Sequence, residues 1–275
     1  MSTAADTTPG SPFSAPPRRF VALGDSTTEG VGDPFDPREP ERSPLRGWAD
    51  RLAERLATVH PGLVYANLAV RGRKAREIRE EQLEPALALD PDLIAMTGGL
   101  NDLVRPKADV DAVLAELDVI HRRASAAGAT VLTFTLPDLS ALVPPARPVR
   151  GRLAAYNAGL HALAREHGSV LADVAAQPIG ADPRMWAPDR LHPNPDGHAR
   201  LAAAAAEALA LPGADDAWTR GLAQARPARL PAVLARETVW TVRFLTPWIG
   251  RRLRGTSSGD GRTAKRPELT PPLPR

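Results

Sequence analysis

The chain contains no cysteine, which excludes a disulfide framework, a thiolate nucleophile and any cysteine-ligated metal site. It has no run of 18 or more apolar residues, so no transmembrane helix is expected. Residues Met1 to Pro17 are rich in Ser, Thr, Pro and Ala and lack both a basic n-region and an apolar h-region. They do not read as a signal peptide, and disorder is expected there. Arg18-Arg19 is followed by too short an apolar run for a twin-arginine signal. These absences fit a cytoplasmic protein. Two chemical signatures are also missing. Thr28 stands where a G-x-S-x-G nucleophile elbow requires its last glycine. No Lys-Ser/Thr follows Gly98-Gly99, which argues against a phosphate-binding P-loop.

What is present is a regular alternation of apolar β-type runs and helical stripes over a chain of 275 residues, 43% of them hydrophobic. Five runs read as strands: Arg19 to Leu23, Leu63 to Ala69, Asp92 to Thr97, Thr130 to Thr135 and Val170 to Val174. Helical spacing lies between them, for example at Trp48, Leu52, Leu56 and Val59, and at Val110, Val113, Leu114, Leu117 and Ile120. The pattern predicts an α/β fold: a three-layer α/β/α, flavodoxin-like, doubly wound parallel sheet of five strands in the order 2-1-3-4-5. The expected organisation is a disordered segment 1–17, a globular α/β domain 18–212, a helical extension 213–254 and a disordered basic tail 255–275.

Charge is distributed unevenly. From Arg220 to Arg275 there are 12 Arg/Lys against 3 Asp/Glu, leaving 23 against 29 of the totals of 35 and 32 for the first 219 residues. An acidic body with a basic tail hints at an acidic partner for the tail. Nucleic acid is not expected, because the basic residues belong to no recognised nucleic-acid-binding fold.

Candidate chemistry gathers at the predicted strand ends, where ligands bind in open α/β sheets. Ser26, in Gly24-Asp25-Ser26, follows the first strand; alone it reads more readily as an ordinary turn or helix-cap serine. His192 lies three residues after Asp189 in a loop bounded by Pro188 and Pro193. An acid at that spacing can hold an imidazole in the tautomer that accepts a serine proton, although the pair also fits a capped surface turn. Gly72 and Asn101 offer oxyanion donors, a backbone N–H and a neutral side-chain amide, and each is separately compatible with a plain turn. Asp25, Asp102 and His198 are assigned structural work.

Taken together, four blocks resemble the SGNH/GDSL hydrolase family: Gly24-Asp25-Ser26, Asn67 to Gly72, Gly99-Leu100-Asn101-Asp102 and Asp189-Arg190-Leu191-His192-Pro193. The resemblance covers roughly residues 18 to 212. It implies Ser26 as nucleophile, His192 as base, Asp189 as its orienting acid, and an oxyanion hole from the N–H groups of Ser26 and Gly72 with the Asn101 amide. It implies no metal or organic cofactor. The first block reads Gly-Asp-Ser-Thr-Thr rather than Gly-Asp-Ser-Leu. The expected partner is a small-molecule or lipid ester, with a carbohydrate O-deacetylase as the alternative. A flavodoxin-like binding module without catalysis is the alternative from another class. In the extension, Val233, Trp240, Phe244 and Trp248 mix with arginines. Such a helix either packs on the domain or rests weakly on an anionic membrane surface.

Overall fold

Strand β1 (Arg19–Gly24) is buried from Phe20 onward, and its side chains alternate between two cores. Phe20 and Ala22 join Trp48, Leu52, Tyr65 and Phe134 on one face, while Val21 and Leu23 join Ile78, Ile94, Met96 and Leu160 on the other. A strand apolar on both faces must be covered on both, as parallel sheets are. The computed structural model describes residues 10–40, 42–138, 140, 142–223 and 230–272. Expectations for residues 1–9, 224–229 and 273–275 lie outside the described residues. Within 10–17, Phe13 is buried against the first core.

In chain order, β1 is followed by α1 (Ser26–Glu29), α2 (Gly47–Val59) and β2 (Val64–Asn67). Next come α3 (Ala75–Ile78), a π-helical turn and α4 (Glu84–Ala88), then β3 (Leu93–Thr97), α5 (Leu100–Leu103) and α6 (Val110–Ala126). Strand β4 (Thr130–Phe134), α7 (Arg150–His167), β5 (Val170–Ala172) and α8 (Pro195–Ala208) complete the alternating part. Asn194 caps α8 by accepting from the Gly197 amide, and Pro195 takes the first helical position, where its missing N–H costs nothing.

The sheet order is β5-β4-β3-β1-β2-β6. The first five strands are parallel in the predicted 2-1-3-4-5 arrangement; Val21 pairs with Ile94 on one side and Ala66 on the other. Two expectations are corrected. The sheet has six strands rather than five, and the tail is not disordered throughout: Arg266–Thr270 form β6, antiparallel to β2, with Asn67 opposite Arg266 and Tyr65 opposite Thr270. The reason is a distant partner. The Lys265 ammonium donates to Leu45 O at 3.0 Å, Arg46 O at 2.7 Å and the buried Asp50 carboxylate at 2.6 Å. That pins the tail where β2 offers an unpaired edge, and Pro267 is tolerated because β6 is itself an edge strand.

The extension is helical, α9 (Leu230–Trp240) running through a π-helical turn into α10 (Thr246–Leu253). Among the described residues, no helix is long and apolar enough to cross a membrane.

Candidate active site

The turn after β1 is built around close approach. Gly24 has φ +138°, and a Cβ there would stand 2.2 Å from the Thr97 carbonyl oxygen, so only glycine fits. Gln82 clasps the same residue twice: its side-chain oxygen accepts from Gly24 N at 2.8 Å and its amide donates to Gly24 O at 2.9 Å. Asp25 caps α1 by accepting from Thr27 N at 3.1 Å. Ser26 is therefore the first residue of α1, half-buried at the C-terminal end of the sheet.

The loop after β2 arrives beside this turn. Val70 N donates to Gly24 O at 3.2 Å, and Arg71 N donates to Glu29 of α1 at 2.7 Å. Gly72 follows with φ +80°, and a Cβ there would fall 2.0 Å from Ser257 Oγ, so the C-terminal segment packs on this loop. From the end of β3, the Asn101 amide donates to Arg73 O at 3.0 Å and to Asp25 at 3.2 Å. One side chain thus bridges the residue before Ser26 and the residue after Gly72. Asp102 accepts from Ala75 N at 3.0 Å and fixes the start of α3.

Asp189 and His192 face one another across a tight turn. His192 Nδ1 lies 2.6 Å from Asp189 Oδ2, while Oδ1 accepts the amides of Leu191 at 3.0 Å and His192 at 3.1 Å. Burial pushes the Asp189 carboxyl up, but the His192 hydrogen bond and charge with these amides outweigh it and hold the group below its ordinary value. An ionised Asp189 keeps the proton on Nδ1, leaving Nε2 with a lone pair. Asp25 lies within electrostatic reach of His192; burial pushes its own carboxyl up to about 6, partly offset by the Thr27 amide and by His192. Thr27, Leu100, Leu191 and Pro193 line one cavity of about 80 Å³, so the segments that carry Ser26 and His192 border the same space.

His198 is structural. It accepts from Trp48 N at 3.1 Å through Nδ1 and donates to Val31 O at 3.0 Å through Nε2, fully buried. Sequence reasoning missed three contributors. Gln82 sits in a run of charged residues and carries no signal. Arg190, with φ +60°, holds a conformation that asparagine and glycine more commonly adopt. Trp240 to Arg251 form one wall of a cavity of about 340 Å³ that opens beside His192.

A parallel-dominated sheet flanked by helices, with a serine turn after β1 and a histidine–aspartate pair on a later loop, matches the SGNH hydrolase fold. The family model for the GDSL-like lipase/acylhydrolase family matches residues 22–200, and the chain belongs to that family; it is a hydrolase of ester bonds. No curated protein matches the sequence. Solved structures share the fold. An α/β hydrolase from the metagenome of Lake Arreo, Spain, has 23% identity over 73% of this chain and 98% of its own, with TM-score 0.59. A catalytic mutant of an acetylxylan esterase from Geobacillus stearothermophilus has 20% identity over 74% of this chain and 97% of its own, with TM-score 0.58. The psychrotrophic esterase EstA from Pseudoalteromonas sp. has 15% identity over 70% and 97%, with TM-score 0.56.

Proposed function

We propose that the protein is a serine esterase working through an acyl-enzyme on Ser26. Ser26 Oγ attacks the ester carbonyl while His192 Nε2 takes its proton, and Asp189 steadies the imidazolium that forms. The carbonyl oxygen becomes an alkoxide, stabilised by the Ser26 and Gly72 amides and by the Asn101 side chain, whose amide turns from Asp25 to meet it. Collapse expels the alcohol with the proton from His192. Water then attacks the acyl-enzyme by the same path in reverse roles, releasing the acid and restoring Ser26. The observation that carries this reading is the 2.6 Å Asp189–His192 contact, on a loop that shares a cavity with a serine turn that Asn101 ties to the Gly72 loop. Carbohydrate O-deacetylation would use the same groups, and one similar structure is an acetylxylan esterase.

The test is turnover of p-nitrophenyl acetate and longer acyl esters by wild type and Ser26→Ala. The reading expects kcat/KM to fall by several powers of ten in the variant. Equal turnover by the two proteins refutes it.

A second reading concerns the extension. Leu234, Val239, Val242 and Ile249 are exposed, and Arg236 and Arg243 lie on the same helical segment. Apolar and basic groups side by side favour contact with an anionic membrane surface. Co-sedimentation with phosphatidylserine vesicles that Val242→Asp weakens supports it; absence of co-sedimentation rejects it.

A further inference from the structure

The cavity of about 340 Å³ beside His192 has two sources. Leu100, Val143, Val149 and Leu153 come from the domain, while Trp240, Phe244, Pro247 and Trp248 come from the extension. The extension lies beyond residue 200, where the family match ends, so this wall belongs to this chain rather than to the family pattern.

The wall is fixed in place by bonds to the His192 loop. Arg190 donates through both terminal nitrogens to Glu237 at 2.7 Å, and through one of them to Leu142 O at 3.0 Å. Its guanidinium stacks 4.6 Å from the Trp240 ring, and the Trp240 indole donates to Asp189 O at 3.1 Å. Farther on, Ser257 sits against Gly72 and Lys265 is buried on Asp50. Both ends of the extension are therefore anchored on the domain.

The lining states what the cavity accepts. Its carbon surface is aliphatic and aromatic, and several of its polar side chains are already engaged, while Arg243 and Arg251 of the extension also line it. Asp138 accepts from Arg150 at 2.8 Å and from Ser140 N at 2.8 Å, Arg190 is held by Glu237, and Asp189 by His192. A sugar laid against that carbon surface would bury hydroxyls there without partners, which is costly, whereas a hydrocarbon chain needs none. The volume falls within the roughly 300–1,000 Å³ typical of small-molecule sites, far more than an acetyl group fills.

We propose that the C-terminal extension completes a hydrocarbon-binding pocket, and that the preferred substrates are esters carrying a long aliphatic chain rather than acetylated sugars. This rests on the serine-esterase reading. Each buried methylene contributes roughly a fourfold gain in kcat/KM until the cavity is filled.

The experiment uses the full chain and two series, p-nitrophenyl esters from acetate to laurate and alkyl acetates from ethyl to dodecyl. Wild type should favour the long members of one series, and Phe244→Asp should lower the long-to-short ratio at least tenfold. A second readout needs no catalysis: laurate should quench tryptophan fluorescence of Ser26→Ala, and Phe244→Asp in that background should abolish the quench. Ser26-dependent turnover with no chain-length preference, or a preference that Phe244→Asp leaves intact, overturns the pocket and leaves the esterase reading standing. Turnover that survives in Ser26→Ala sinks the serine reading instead. The pocket is then judged by laurate alone, and the absence of a Phe244-dependent quench overturns it.

Discussion

Trp240 donates its indole N–H to the backbone carbonyl of Asp189 across 3.1 Å, so the C-terminal helix supports the acid of the Asp189–His192 pair from behind. The carboxylate itself is committed to His192 and to two amides of its own turn.

Asp189→Asn keeps the size of the side chain but presents an amide to Nδ1. Where the amide donates, the imidazole proton moves to Nε2, and the ring can no longer accept the Ser26 proton. We expect kcat to fall by about 10³–10⁴ with KM little changed. Steady-state kinetics on p-nitrophenyl esters measures this, and a loss of less than tenfold contradicts the assigned role.

Lys265 and Asp50 form a buried pair 2.6 Å apart that holds β6 against β2. Lys265→Ala leaves the buried Asp50 carboxylate with only the Arg266 cation, 4.0 Å away, which should cost up to about 3–5 kcal/mol. Adding Asp50→Asn should recover a large part of that loss. Urea denaturation of both variants checks the pair; a Lys265→Ala protein as stable as wild type shows that the tail is not pinned there.

Asp25 gives a pH signature. Burial raises its carboxyl from 3.8 in the unfolded chain to about 6 in the fold. The fold therefore favours the neutral form: the stability it contributes is complete below the unfolded value and is lost as pH rises through about 6. Asp25→Asn, permanently neutral, should gain on wild type by up to about 2 kcal/mol between pH 4.5 and pH 8. Urea unfolding at pH 4.5, 6 and 8 reports the gap. A gap that shrinks with rising pH contradicts the assigned burial.

Much of this was legible because it is local. Phe20 to Leu23 is an unbroken apolar run closed by Gly24, the run ending at Thr97 is closed by Gly98, and the run through Asn67 leads on to Gly72, so the strands and the loops carrying Ser26, Gly72 and Asn101 could be placed. Asp189 and His192 were paired by their spacing alone. Partners distant in sequence were not legible. Residues 255–275 have the composition of a flexible tail, and β6 forms only because Asp50 and the β2 edge wait some two hundred residues earlier. The helical stripe of the extension was visible, but nothing in it said that Phe244 and Trp248 would face His192.

The central claim is that Ser26 carries the acyl group, and the most direct measurement is covalent trapping. Wild type treated with a fluorophosphonate should gain the mass of one phosphonyl group, located at Ser26 by peptide mass spectrometry. Ser26→Ala should gain none, and His192→Ala should label far more slowly, because the hydroxyl then lacks its base. A modification at another residue, or equal labelling of Ser26→Ala, contradicts the account.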